Sequence, residues 1–483
     1  MKTLQQILPE TGPIPVSIHG ISMDSREVKP GDLFIAVSGA ANDGAYFIDE
    51  AIGKGAVAVL RAPAGSESTH KGVPVYEVEN LAMKAGEIAS RFYEEPSKAL
   101  SVIAVTGTNG KTTVTSLITD ALNALQLPCG VIGTLGVGRA TRESTTTGLT
   151  TPDPVSLQRQ LAAFSGQECQ YVALEASSHG LTQGRLNGTR VAVSVLTNLT
   201  QDHLDYHGDM DRYREAKELL FEFPELETRI VNLDDDFGRH LAQRYRNDAV
   251  LSFSTDASMG ADVFSRNAIF DASGLTAELV TPGGSTWVRS ALLGPHNLSN
   301  LLATATVLHW QGCCAKDIGE VLSGLKAAPG RMEVISLSDH ASAVIDFAHT
   351  TDALLNVLTT LKQNRPEKLI CVFGCGGDRD RGKRREMGAV AASLADQVIL
   401  TNDNPRSESP QAIVDEILKG IPGDALVEVE LDRCKAIHRG LELLKDAGLV
   451  LIAGKGHENY QEVNHERIQF SDREVVLGFI DSN

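Results

Sequence analysis

Short apolar runs, each stopping abruptly at glycine or polar residues, punctuate the chain. Val102-Ile103-Ala104-Val105, Tyr171-Val172-Ala173-Leu174, Val191-Ala192-Val193-Ser194-Val195-Leu196 and Leu369-Ile370-Cys371-Val372-Phe373 are the clearest. They do not alternate apolar with polar positions, so they predict strands covered on both faces. Gly31–Val37, Gly55–Leu60 and Val73–Val78 predict shorter strands near the start; Arg229–Leu233, Val344–Phe347, Val398–Leu400 and Val450–Ala453 predict more further on. Helical stretches lie between them, a long one over Ser299–Trp310. Strands separated by helices predict parallel sheets, and such sheets bind ligands beyond the carboxyl ends of their strands.

A chain of 483 residues is too long for one core. Glu94-Glu95-Pro96-Ser97 and Ala328-Pro329-Gly330-Arg331 read as boundaries, dividing it into 1–97, 98–329 and 330–483. The net charge of -18 argues against nucleic-acid partners and anionic membranes. No apolar run is long enough for a bilayer span, and no secretory signal is read at the start. Seven scattered cysteines without zinc spacing read as reduced thiols, so a cytoplasmic protein is expected, with a monomer as the default.

One stretch carries explicit chemistry. The strand Val102–Val105 runs into Thr106-Gly107-Thr108-Asn109-Gly110-Lys111-Thr112-Thr113, and a helical stretch follows. Glycines let backbone N–H groups turn inward around an anion, and a helix N-terminus adds partial positive charge. Lys111 can reach a terminal phosphate, and Thr112 offers Mg²⁺ a hydroxyl. Val105 stands where the general phosphate-loop pattern has its first glycine. A lone Gly-Lys-Thr would say little; the strand before it and the helix after it make it a nucleoside triphosphate site.

Polar clusters also follow the other strands. Glu175 ends the run from Tyr171, and Asn198 and His203 follow the run ending at Leu196. Asp346-Phe347-Ala348-His349, Gly376-Gly377-Asp378-Arg379, Asp403-Asn404-Pro405-Arg406 and Gly454-Lys455-Gly456-His457-Glu458 do the same in the last third. Glu175 and Thr112 are oxygen donors of the kind hard Mg²⁺ prefers, whereas the imidazole of His203 is a less obvious ligand. Lys217, in Tyr213-Arg214-Glu215-Ala216-Lys217-Glu218, reads locally as an ordinary solvated helical lysine.

These motifs together resemble the Mur ligases from end to end. The resemblance rests on Gly107–Thr113, Glu175-Ala176-Ser177-Ser178-His179-Gly180-Leu181 and Asn198–His207, with Gly330-Arg331-Met332-Glu333 and Asp403–Arg406. It implies an α/β fold of three domains: a small α/β N-terminal domain, a central phosphate-loop ATPase-like parallel sheet and a C-terminal Rossmann-like sheet. In that family the first domain holds a UDP-sugar, the second ATP and the third an amino acid. Within it the chain looks like the members that add the third residue to a UDP-N-acetylmuramoyl-dipeptide, through an acyl phosphate. ATP and Mg²⁺ are then implied, with Gly107, Thr108, Asn109, Gly110, Lys111, Thr112 and Thr113 around the phosphates and Asn297, Asn300 and His349 nearer the nucleoside. Lys111, Glu175, His203 and Lys217 become the catalytic set, and Thr112, Glu175, His203 and Lys217 the metal set, with Lys217 matching a lysine the family carries as a carbamate. Met23, Ser25, Thr150, Thr151, Ser177, Gln183 and Arg185 fall to the UDP-sugar dipeptide. Phe347 and Thr351 depart from the Tyr and Pro of the family's Tyr-Ala-His-x-Pro-Asp, which removes a hydroxyl from the nucleotide pocket.

For the incoming amino acid the resemblance points to Arg379, Asp403, Asn404, Pro405, Arg406, Gly454 and Glu458. Arg406 presents a planar fork to a carboxylate, and Asp403 and Glu458 can accept from an ammonium. The substrate expected is therefore meso-2,6-diaminopimelate; lysine-adding relatives depart at the Arg406 position. Folylpolyglutamate and cyanophycin synthetases share the phosphate loop but should lack the Asp403–Arg406 cluster. A non-catalytic descendant would have lost Lys111, Glu175 or Lys217.

Overall fold

The computed structural model describes residues 2–9, 16–37, 43–63, 69–140, 148–271, 274–338, 340–363, 367–444, 447–464 and 466–482. They form two compact units: the first from Met1–Thr106, Gln126–Val195 and Arg214–Arg229, the second from Gly107–Leu125, Leu196–Tyr213 and Ile230–Asn483. Among the described residues no helix is long and apolar enough to cross a membrane.

The first unit opens with a small sheet in which Gly20–Ser22, Asp32–Ala36, Ala58–Arg61 and Val73–Glu77 run parallel. Its strands send alternate side chains to two cores, Leu33, Ile35 and Leu60 to one and Phe34, Ala36 and Val59 to the other. A second group of strands follows: Ser101–Thr106, Tyr171–Glu175 and Cys129–Gly133 are parallel, and Gly136–Gly138 turns back antiparallel. The strand expected at Tyr171–Glu175 is found residue for residue. Helix Pro154–Gly166 starts where Asp153 accepts from the N–H groups of Val155 and Ser156, with proline in the first turn. The boundary read at Glu94–Ser97 is a tight turn, with positive φ at Glu94 and Glu95 and with Pro96 and Ser97 buried.

In the second unit, helix Lys111–Ala124 packs on Pro295–Trp310, which begins four residues before the expected Ser299. The strands Val263–Asp271, Gly274–Thr281 and Gly284–Ser290 form an antiparallel meander. A six-stranded sheet then lies in the order Glu333–Ser336, Ala341–Asp346, Gly448–Ala453, Leu369–Phe373, Gln397–Leu400, Val427–Val429. All but the first strand are parallel. Leu369, Cys371 and Phe373 face helices 351–363, 382–394 and 410–418, while Ile370 and Val372 face 433–444 and 472–482. Both faces are covered, which is why the central strand Leu369–Phe373 carries no polar position. Phe373 is fully buried, and its truncation to alanine costs about 3–5 kcal/mol. Parallel pairing also sends the chain out of Asp346, Phe373, Leu400 and Ala453 at one edge, so four polar loops collect there.

Candidate active site

Helix Lys111–Ala124 begins at Gly110, whose φ is +85°, and no side chain caps it. Its N-terminus, the positive end of the helix dipole, faces the loop. A side chain at Gly107 would collide with Thr197, and one at Gly110 would meet Asn300 Oδ1 at 2.7 Å. Lys111 curls back over the loop, donating from Nζ to the Gly107 carbonyl at 2.8 Å and the Thr108 carbonyl at 3.0 Å. The loop leans on residues 197–200. Asn198 accepts from the Asn109 N–H at 2.9 Å, and Thr197 Oγ1 donates to the Asn109 carbonyl at 2.6 Å. Thr108 Oγ1 donates to the Thr200 carbonyl and accepts from the Thr200 N–H, both at 2.9 Å. Its one proton is thus used, so the buried Tyr213 hydroxyl, 3.2 Å away, is the donor in their contact. This cradle of backbone, hydroxyls and one ammonium fits a polyphosphate.

Residues from the last third reach the same loop. Arg331 donates from Nη2 to Thr112 Oγ1 at 3.0 Å, and its guanidinium lies 4.4 Å over the Phe347 ring. Asn109 Nδ2 donates to Asp352 at 3.2 Å. The Asn297 carboxamide donates to the Leu293 carbonyl and accepts from Asn300, so both asparagines are held together within one buried helix. His349 bonds through Nδ1 to the Phe347 carbonyl at 2.8 Å. Burial, then the Lys383 charge, keep its imidazole below the usual range, only partly offset by Asp202. Burial pushes the Asp202 carboxyl up, but the charges of His203, His349 and Lys111 hold it below its ordinary value. His203 is left-handed (φ +54°), with Nε2 3.5 Å from Asp202. Thr113 is buried in the first turn.

At the edge of the six-stranded sheet, two loops interlock. Asn404 Oδ1 accepts from Lys455 Nζ at 3.0 Å and from the Glu462 N–H at 2.9 Å, and Asn404 Nδ2 donates to Glu458 Oε2 at 2.8 Å. Expected as a ligand for the amino acid, the Asn404 carboxamide is instead occupied by protein partners. Arg406, at φ +51°, donates from Nη1 to the Gly377 carbonyl at 2.7 Å and places Nε 3.3 Å from Glu462. Its Nη2 makes no hydrogen bond with the described residues, and neither does Glu458 Oε1. One cationic and one anionic edge are thus left for a ligand. Gly454 is pressed against the Asp403 carboxylate. Pro405 is buried behind Arg406, and Arg379 is exposed near the rim. Beneath the loops, the buried Arg433 pairs with Asp472 at 2.7 Å and donates to the carbonyls of Asn402 and Ala453. That fork fixes the separation of the two strand ends.

The first unit holds a separate polar cluster. Glu175 is buried; its Oε1 accepts from the Thr134 N–H at 2.8 Å and its Oε2 from Thr134 Oγ1 at 3.0 Å. With its one proton given to Glu175, Thr134 Oγ1 accepts from Thr150 Oγ1 at 3.0 Å, and Thr151 Oγ1 lies 2.7 Å from the Glu175 carbonyl and 3.0 Å from Ser177 Oγ. Arg185 donates to the Thr151 carbonyl at 2.6 Å and grips Gln183 with two more N–H groups. Five of the seven residues expected around the sugar dipeptide therefore form one network. Ser25 and Met23 lie apart from it in sequence, just after strand Gly20–Ser22: Ser25 donates to Glu50 at 2.7 Å, and Met23 packs on the apolar core. Lys217 corrects its local reading. It is not solvated but only 1% exposed, in helix Met210–Glu218. Among the described residues no group of three or more His, Cys, Asp or Glu could hold a metal ion.

The models for "Mur ligase family, catalytic domain", "Mur ligase middle domain" and "Mur ligase, glutamate ligase domain" match residues 17–93, 105–308 and 330–456. A UDP-N-acetylmuramoyl-L-alanyl-D-glutamate–2,6-diaminopimelate ligase of Ectopseudomonas mendocina is 45% identical over 475 residues, 97% of this chain and 96% of that one. The chain belongs to the Mur ligase family. A ligase of the same name from Pseudomonas aeruginosa is 44% identical, over 98% of this chain and 96% of its own. A solved structure of a UDP-N-acetylmuramoyl-L-alanyl-D-glutamate–2,6-diaminopimelate ligase matches with a TM-score of 0.70 at 38% identity, covering 100% of this chain and 99% of that one.

Sequence reasoning missed several residues of this Mur ligase. Arg331 stood inside a quoted motif but had no role, and its contact with Thr112 spans 219 residues. Lys455 and Thr134 carried no local signal: one is a lysine in a glycine-rich turn, the other a threonine after a strand. Phe347, which lacks the family's hydroxyl, offers its ring to Arg331 instead.

Proposed function

We propose that this Mur ligase joins meso-2,6-diaminopimelate to UDP-N-acetylmuramoyl-L-alanyl-D-glutamate, driven by ATP, in cytoplasmic peptidoglycan precursor synthesis. The observation that carries the reading is the paired vacancy at the sheet edge: Arg406 Nη2 for a carboxylate and Glu458 Oε1 for an ammonium. A diamino diacid presents both groups at the end remote from the reacting amine, whereas lysine presents only the second.

We assign residues 1–97 to the UDP-sugar, 98–329 to ATP and 330–483 to the amino acid. A carboxylate is inert toward an amine until its oxygen becomes a leaving group. The dipeptide carboxylate attacks the γ-phosphorus of ATP, ADP departs, and an acyl phosphate forms. The amine then adds to the carbonyl, and inorganic phosphate leaves as the amide forms. Lys111 and the positive end of the dipole of helix Lys111–Ala124 offset charge on the transferring phosphoryl group. Thr151, Ser177, Gln183 and Arg185 hold the sugar dipeptide.

We assign Thr112 and Glu175 to Mg²⁺ on their chemistry alone, a hydroxyl and a carboxylate being oxygen donors of the kind that ion takes. When bound, it neutralises phosphate charge. His203 is held as the family's metal-site residue, with Asp202 to orient its ring. Burial of Lys217 supports the carbamate, because a bare ammonium there would lose its hydration. CO₂ condenses with the neutral amine, a proton is released, and the cation becomes an anion suited to a metal.

Phosphate release from purified enzyme, ATP and UDP-N-acetylmuramoyl-L-alanyl-D-glutamate, with a panel of amino acids, tests the reading. Diaminopimelate should give the fastest turnover, and a folded Lys111→Ala protein should be inactive. Faster turnover with lysine, or near-normal turnover in Lys111→Ala, would overturn it.

A further inference from the structure

Lys455 is fully buried, two residues past the strand Gly448–Ala453 and in the same loop as Glu458. Its ammonium donates to Glu458 Oε2 at 2.8 Å and to Asn404 Oδ1 at 3.0 Å, and lies 5.4 Å over the Tyr460 ring. Burying a lysine is costly unless its charge is paired and hydrogen-bonded, as it is here. Two consequences follow from the same nitrogen. By taking Oε2, together with Asn404 Nδ2, Lys455 fixes the rotation of the Glu458 carboxylate and leaves Oε1 outward. By taking Asn404 Oδ1, it shares an acceptor with the Glu462 N–H, and Glu462 in turn accepts from the Arg406 backbone N–H at 3.0 Å and sits 3.3 Å from Arg406 Nε. A continuous set of contacts thus joins the anionic and cationic edges of the site through one buried cation.

The geometry points to Lys455 as a positioning residue for the incoming amino acid. It presents Glu458 Oε1 to the ammonium of the substrate, without touching the substrate itself. This rests on the assignment of residues 403–406 and 454–458 to the amino acid. The bland alternative is a lysine that merely solves its own burial; such a residue would affect stability and all substrates alike.

Steady-state kinetics of the full-length enzyme separate the two, with ATP, UDP-dipeptide and diaminopimelate varied in turn. Lys455→Met should raise KM for diaminopimelate by at least about tenfold, while KM for ATP and for UDP-dipeptide, and kcat, stay within about threefold. A stranded Glu458 carboxylate could unfold that variant, so a second pair is measured: Glu458→Gln with and without Lys455→Met. If Lys455 acts through Glu458, Glu458→Gln alone raises the same KM, and adding Lys455→Met changes it less than about twofold. Unchanged KM for diaminopimelate in either single variant, an equal rise for all three substrates, or a further tenfold rise in the Glu458→Gln background would overturn the inference. Wild-type turnover with another amino acid overturns the substrate reading alone, and the same KM comparison then applies to that acceptor. A wild-type enzyme that turns over no acceptor overturns both.

Discussion

Arg331 and Thr112 lie 219 residues apart in sequence and 3.0 Å apart in space, the guanidinium donating to the hydroxyl at the mouth of the phosphate loop. The same guanidinium is braced from behind by Phe347. A cation held this way, beside the hydroxyl expected to meet Mg²⁺, is expected to face the charge that moves in phosphoryl transfer. Removing one such preorganised group costs about 2.7–4 kcal/mol of transition-state stabilisation, or about 10²–10³ in rate. Arg331→Ala should therefore lose kcat on that scale while retaining its melting temperature within a few degrees. Full activity in a folded variant would place Arg331 outside the reaction.

Lys217 tests the carbamate directly. Lys217→Ala should be nearly inactive and partly rescued by short carboxylates such as formate or acetate, which can occupy the vacated space as anions. A crystal grown with Mg²⁺ and bicarbonate that ends at a bare ammonium would exclude the modification.

Arg406 is pinned by the Gly377 carbonyl and Glu462, so its free edge is fixed before substrate arrives. Loss of a buried charge-assisted contact costs about 2–5 kcal/mol, so Arg406→Ala should lose roughly two orders of magnitude or more in kcat/KM with diaminopimelate. Any slow reaction with lysine should lose much less, because lysine has no carboxylate to pair there. Equal losses with both amino acids would show that Arg406 is not the selector.

Acid stability should fall in two steps. Burial holds the His296 imidazole at about 4, below the usual 6.5. Its neutral form thus favours the folded state fully above pH 6.5, and this contribution is lost as pH falls toward about 4. Hydrogen bonding from Arg384 holds Glu408 at about 2, below its usual 4.5, so that contribution is complete above pH 4.5 and lost as pH falls toward about 2. Arg384 is fully buried and also bonds Glu416 and the Gly376 carbonyl. Arg384→Met should destabilise by roughly 2–3 kcal/mol at pH 7, less than for a fully buried pair because both carboxylates reach solvent. It should also flatten the lower step, and His296→Gln the upper one. Urea midpoints recorded from pH 8 to pH 2 read both.

Local chemistry made much of this molecule legible in its sequence. Strands Tyr171–Glu175 and Leu369–Phe373 are readable to the residue because sheets covered on both faces favour unbroken apolar runs, which end at a carboxylate or a glycine. The phosphate loop was readable because glycines, a lysine and an uncapped helix start must be contiguous to enclose an anion. Tertiary structure decided what depends on burial and on partners distant in the chain. Lys217 has the sequence neighbourhood of a solvated helical lysine, yet only packing put it 1% exposed. Asn404 read as a ligand until Lys455, Glu458 and Glu462 were seen to occupy it. No local period encodes the contact of Arg331 with Thr112, because a hydrogen bond between separate elements is fixed by how whole sheets and helices pack, and local sequence specifies only the elements.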